Sequence, residues 1–205
     1  MPQFAIRTLA RSLAVLCALV ALSGCVHYAL IPSTEKVTVR SGMTIQPGIE
    51  WNRITALGAA DTGNLDFWTV DGEQLDLLIL AAGIEDGKPL FNITGSNEKP
   101  PAYRAGMPTE DLSSLFEAAF TKTFKAKVFT VRSLKPQTVA GGEGIRLDFS
   151  FSGEDELDRD GVAVLVQKNG KLYMVAHQGA RLHYRPKYAP EVDRIIASMR
   201  IIDKA

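Results

Sequence analysis

Cysteine is almost absent from this 205-residue sequence: there are two, Cys17 and Cys25, and both precede residue 26. A disulfide framework and a cysteine-based zinc cluster are therefore excluded. Histidine is nearly as scarce, with only His27, His177 and His183. Neither sign of charge is in excess, since Lys plus Arg and Asp plus Glu each number 23. A nucleic-acid binder needs a basic surplus to neutralise phosphates, so that class is excluded as well. The main apolar run, residues 12–22, has 11 residues and spans roughly 16 Å at about 1.5 Å per residue, about half of a bilayer core. What is present is ordinary for a folded chain: 46% hydrophobic and 22% charged residues, enough to bury a substantial core and too apolar for general disorder.

The first 25 residues have the layout of an export signal. Arg7 and Arg11 are the only charges, and the short apolar run follows them. Leu22-Ser23-Gly24-Cys25 then resembles the lipobox of bacterial lipoproteins. The resemblance implies cleavage before Cys25, a diacylglyceryl group on its sulfur and acylation of the new N-terminus. Several acyl chains hold a protein on a membrane durably, where one does not. The expected layout is a signal peptide over residues 1–24, a lipid-anchored tether over 25–36 and a single domain over 37–205. The mature chain would have 181 residues, with 21 basic and 23 acidic side chains. Val26, not Asp, follows the cysteine, which by the same resemblance favours the periplasmic face of the outer membrane.

Hydrophobic patterning predicts short strands near 37–40 and 43–46, then strands at 65–70 and 74–81 flanking the Asp71-Gly72 turn. Residues 92–107 read as a long polar surface loop. A helix is expected from Thr109, where Leu112, Leu115, Phe116, Ala119 and Phe120 form one apolar stripe. Four further strands are expected at 127–134, 144–151, 161–167 and 171–177, the last two joined through Asn169-Gly170. A final helix is expected over 190–200, with Val192, Ile195, Ile196 and Met199 inward. This order indicates an α+β domain, a mainly antiparallel sheet with helices packed on it. The meander closed by a helix ending in IIASMRI resembles the Mog1/PsbP-type fold, which implies an α-β-α sandwich and an accessory or binding role.

Reactive constellations are sparse. No Gly-x-Ser-x-Gly elbow accompanies the histidines. The acidic stretch from Glu154 to Gly161 approaches the spacing of a calcium loop, but Glu156 stands at its first position and Gln167 at its twelfth. A solvated connection between strands accounts for it better. Gly141-Gly142-Glu143-Gly144 lacks the context of a phosphate loop, and its glycines are expected to supply positive φ angles. No catalytic set, metal site or cofactor is called for. Arg181, Tyr184, Arg185 and Tyr188 form a basic, aromatic segment before the last helix, of the composition found at interfaces. The expectation is a non-catalytic, lipid-anchored envelope lipoprotein whose domain binds a ligand, an envelope protein or an anionic envelope component. The alternative is an anchored envelope hydrolase with a dispersed acid/base pair, for which Asp66, Asp76 and Asp148 are the candidate carboxylates.

Overall fold

A computed structural model of the chain describes residues 28–55, 63–91 and 100–202; the signal segment and Cys25 lie outside these. Among the described residues the chain order is β1 (Tyr28–Ile31), β2 (Val37–Val39), β3 (Met43–Ile45), β4 (Trp51–Ile54), β5 (Leu65–Thr69), β6 (Asp76–Ile84), α1 (Asp111–Phe124), β7 (Val128–Pro136), β8 (Glu143–Ser152), β9 (Asp158–Lys168), β10 (Lys171–Ala180), α2 (Tyr184–Ser198) and β11 (Arg200–Ile201). Eight strands form one antiparallel sheet in the order β1-β4-β5-β6-β10-β9-β8-β7, and β11-β3-β2 form a small second sheet. Helix α1 covers one face of the large sheet; α2 and the small sheet cover the other. This is the expected α+β architecture in its sandwich form.

The central strands show why the sheet needs two covers. All nine residues of β6 are buried, as are eight of the ten in β10, so these strands are apolar on both faces. The two faces are chemically different. The α1 side holds eight of the nine phenylalanines, all those after residue 4. Phe120 is at its centre, with ring centroids 4.4 Å from Phe124, 4.9 Å from Phe151 and 5.1 Å from Phe149. The α2 side holds both tryptophans with Tyr173, Tyr188 and a layer of valines. Indole, phenol and imidazole carry polar atoms that phenyl rings lack, so polar chemistry inside the fold is confined mainly to the α2 side.

Four elements differ from the sequence reading. Within the segment read as tether, Tyr28–Ile31 pairs with β4 as an edge strand, because Ile31 alternates inward against Trp51. Helix α2 begins at Tyr184, six residues earlier than expected. Pro186 falls in its first turn, where a missing N–H costs no internal hydrogen bond, and Tyr184, Tyr188 and Val192 continue the inward stripe at spacings of four. Helix α1 starts at Asp111 without a side-chain cap; residues 108–111 make a turn in which the Asp111 N–H donates to the Pro108 carbonyl at 3.0 Å. The described end of the long loop is pinned: Tyr103 is fully buried and its hydroxyl donates to Gln167 Oε1 at 3.0 Å.

The glycine-rich turn also works differently. Gly141 has φ +74°, but Gly144 is an ordinary strand residue packed against the neighbouring backbone. A Cβ on Gly144 would lie 2.0 Å from the Leu165 carbonyl oxygen. Strand backbone cannot yield as a side-chain end can. Gly144→Ala should therefore cost about 1–3 kcal/mol in denaturant unfolding, and an unchanged midpoint would show that β8 and β9 are less tightly apposed.

Candidate functional site

Two places on the described structure hold buried polar groups, and both lie towards the end of the sheet where β10 runs into α2. The first is the α2 side of β10. His177 is fully buried, opposite Leu78 on β6 and Val162 on β9. Trp51 lies edge-on to it at 6.3 Å between ring centroids, and Tyr188 at 6.2 Å. Neither ring nitrogen of His177, nor Nε1 of Trp51, has a hydrogen-bond partner among the described residues. Burial, with a smaller push from the Arg185 guanidinium, lowers the His177 pKa to about 3. His177 is therefore a neutral imidazole in the core at pH 7.

Around this core the polar groups are paired. The Tyr188 hydroxyl donates to Asp71 in the β5–β6 turn, and Lys187 Nζ donates to the same carboxylate at 2.7 Å. These two hydrogen bonds hold Asp71 below the usual carboxylate range. Burial, helped by Asp71, raises Tyr188 to about 12. Arg181 bridges two residues of β9, reaching Asp158 at 2.8 Å and Asp160 at 2.9 Å. Arg185 is half-buried, and its Nη1 has no partner among the described residues. Burial lowers its pKa, against the opposing pull of Asp148, Asp193 and Asp160.

The four segment residues thus have separate situations. Tyr188 is buried under α2, Tyr184 packs at the margin of the same core, Arg181 is paired with β9 and Arg185 lies over the sheet. The structure brings them together at one corner but does not present them as one exposed face. Leu182, beside them, is 94% exposed. Periodicity alone could not single it out; only the tight turn between β10 and α2 leaves it without a surface to cover.

The three candidate carboxylates do not converge. Asp66 Oδ2 lies 2.9 Å from Arg53 Nε, and burial still raises its pKa. Asp76 accepts from the backbone N–H of Asp71 at 2.7 Å and of Val70 at 3.0 Å, and from Thr69 Oγ1 at 3.0 Å, so it organises the β5–β6 turn. Asp148 accepts from Ser133 Oγ at 2.7 Å. Asp148 and His177 share a transverse row of the sheet with Val162 between them, which separates their backbones by about 9–10 Å. Among the described residues no group of three or more His, Cys, Asp or Glu is placed to hold a metal ion. Only residues 153–157 connect β8 to β9; of the acidic stretch, Asp158 to Gly161 already belong to β9, where Arg159 is buried and paired with Asp155 at 2.6 Å and where Asp158 and Asp160 are paired with Arg181.

The second place is on the α1 side. A cleft of about 380 Å³ opens where β6 and β9 begin and β8 and β10 end, beyond the C-terminus of α1. Leu77, Phe124 and Phe151 give it an apolar floor, and Gln178 lines it from β10. No local pattern marks this cleft, because five separate elements contribute its lining.

No family model matches the chain, and no curated protein matches it in sequence. Solved structures do match in shape. The cyanobacterial PsbP protein CyanoP of Synechocystis sp. PCC 6803 superposes with a TM-score of 0.54 at 14% identity, covering 88% of this chain and 96% of that one. More distant are the Ran-binding protein Mog1p of Saccharomyces cerevisiae, with a TM-score of 0.45, 7% identity and 87% and 97% coverage, and LpqN of Mycobacterium tuberculosis, a protein involved in cell envelope biogenesis, with 0.34, 10% and 89% and 88%. The chain shares its overall fold with CyanoP.

Proposed function

We propose that the protein is a lipoprotein of the cell envelope, anchored through an acylated Cys25, and that its domain works by binding another envelope component and not by catalysis. The observation that carries the non-catalytic reading is the disposition of the reactive side chains. His177 is sealed beneath Trp51 and Tyr188, while Asp66, Asp76 and Asp148 are committed to Arg53, to turn amides and to Ser133. A general base must reach the proton it takes; the hydroxyls that these carboxylates reach are Ser133 for Asp148 and Thr69 for Asp76, and neither ring nitrogen of His177 has a hydrogen-bond partner among the described residues.

Two features support the anchor. Only Val26 and His27 separate Cys25 from Tyr28, the first residue of β1, a reach of at most about 11 Å for an extended chain. The domain is then held against the bilayer with its β1 edge nearest to it. Tyr28 and Leu30, on one side of that edge, are 48% and 61% exposed, a composition suited to the lipid headgroup region. No helix among the described residues is long and apolar enough to cross a membrane.

The corner between β10 and α2 is the proposed contact for the partner, with Leu182 as its apolar point and Arg181, Tyr184 and Arg185 around it. A photoreactive amino acid at position 182 should give a discrete adduct with an envelope component in intact cells. Leu182→Asp should reduce recovery of that component at least about ten-fold, the effect expected of an interface anchor, while leaving the melting temperature unchanged. If no adduct forms, or recovery is unaffected, the corner is not the contact.

A further inference from the structure

We propose that the free edge of β7 is a docking site for an extended, acidic segment of a partner protein, which adds to the large sheet as one more strand. The inference depends neither on the anchor nor on the corner at Leu182. Among the described residues β7 pairs only with β8, so one row of its backbone donors and acceptors faces outward along a strand of nine residues. An open edge of that length is a template for a further strand. The register shows where outward groups lie. The Gln137 N–H donates to the Gly144 carbonyl at 2.9 Å, and bonded and non-bonded pairs alternate along an antiparallel ladder. Leu134, opposite Leu147, and Pro136, opposite Ile145, are therefore non-bonded positions, and the Leu134 N–H turns away from β8. Pro136 fits this register, because its missing N–H costs the β7–β8 ladder nothing.

Charge selects the occupant. Residues 126–138 hold Lys127, Arg132 and Lys135 and no carboxylate. Lys127 and Lys135 are exposed, with no ion pair among the described residues. Arg132 is exposed too, 3.8 Å from an Asp160 that Arg181 already holds at 2.9 Å. Two copies of β7 paired with each other would bring these cations together, and like charges across a strand pair are destabilising. A strand bearing carboxylates gains where a second copy loses. Apolar surface is present as well. Val128 and Leu134 are exposed, and a groove of about 480 Å³ borders the edge on the α1 side, where Leu134, Pro136 and Ile145 meet Thr109 and Glu110 of the turn before α1. Main-chain bonds to an edge supply affinity, and a groove beside it supplies the choice of side chain. Glu110 and Glu143 also line this groove and repel a carboxylate. The side chain it takes is therefore apolar, and the carboxylates of the incoming strand lie opposite the cations.

A blocked, dye-labelled hexapeptide of alternating valine and glutamate is the probe. Lysine in place of glutamate gives the cationic control, and a fully N-methylated form gives the control for backbone pairing. Fluorescence anisotropy would use the full chain in nanodiscs of zwitterionic lipid, with empty nanodiscs as the blank. The acidic peptide should bind about ten-fold or more tightly than the lysine form. The N-methylated form keeps its carboxylates but has no N–H to donate, so it should bind several-fold more weakly. Hydrogen exchange within 128–136 should slow when the acidic peptide is added. The exposed double variant Lys127→Glu/Lys135→Glu should abolish or reverse the preference for the acidic peptide. Leu134→Pro removes an outward donor and should weaken that peptide several-fold without changing the melting temperature; if it does not fold, the charge variant decides. The proposal is overturned if the acidic peptide fails to bind, if it binds no better than the lysine or N-methylated form, or if it binds without slowing exchange in 128–136.

Discussion

Replacing Phe120 with Ala should destabilise the domain by about 3–5 kcal/mol, the range for a buried phenylalanine truncated in a packed core. Phe120 is fully buried, and its ring lies within 6.4 Å, centroid to centroid, of Phe91, Phe116, Phe124, Phe129, Phe149 and Phe151. These rings come from α1, from β7 and β8, and from the segment after β6, so collapse around the missing ring would have to move four parts of the fold at once. The cost should accordingly fall at the upper end. Phe124, at the margin of the same cluster and only partly buried, should cost less when truncated. Denaturant unfolding of both variants checks the order, and equal losses would mean that the α1 face is rotated from the position described here.

The second large effect is acid lability traceable to His177. An unfolded histidine takes up a proton near pH 6.5, whereas the buried imidazole does so only at about 3. Between these values the unfolded state binds more protons than the folded one, so stability falls as the pH falls. The loss attributable to this group is roughly 2 kcal/mol between pH 7 and pH 5 and roughly 3 kcal/mol by pH 4. Arg185 and Tyr188 face His177 from α2, and neither changes charge across that window at its usual value or at the shifted one. Asp66 and Asp76 act in the opposite sense: burial raises their pKa values, so the folded state takes up their protons first and gains stability on acidification. They are present in both proteins when the parent is compared with His177→Leu, so the difference isolates the histidine. The parent should lose more stability than the variant on going from pH 7 to pH 5. Parallel pH curves would show that His177 is protonated as readily in the folded state as in the unfolded one.

Much of the architecture was legible because it is carried by local signals. The stripe from Leu112 to Phe120 is the buried face of α1, and Asn169-Gly170 joins β9 to β10 as a two-residue turn. Boundaries were less legible where tertiary packing decides them. Tyr28–Ile31 has no sustained period of its own and becomes a strand only because β4 offers it an edge. The early start of α2 was visible in the four-residue spacing of Tyr184, Tyr188 and Val192, but Pro190 is a stronger local mark for a helix start and drew the boundary past it. The sites were the least legible. The α1-side cleft is one such case, since Leu77, Phe124, Phe151, Arg159 and Gln178 are far apart in the sequence and meet only in the fold. The mutual neutralisation of Arg181 with Asp158 and Asp160 is likewise a property of strand register, so a basic segment in the sequence is not a basic patch on the surface.

The central claim, an envelope protein held at the bilayer by its own N-terminus, is tested most directly by mass spectrometry of the N-terminal peptide of protein extracted from membranes. The account predicts a chain beginning at Cys25, with a diacylglyceryl group on sulfur and an acyl group on the amine, and a Cys25→Ala variant that is neither cleaved at this position nor acylated. A chain beginning elsewhere, or a Cys25 with a free thiol, would contradict it.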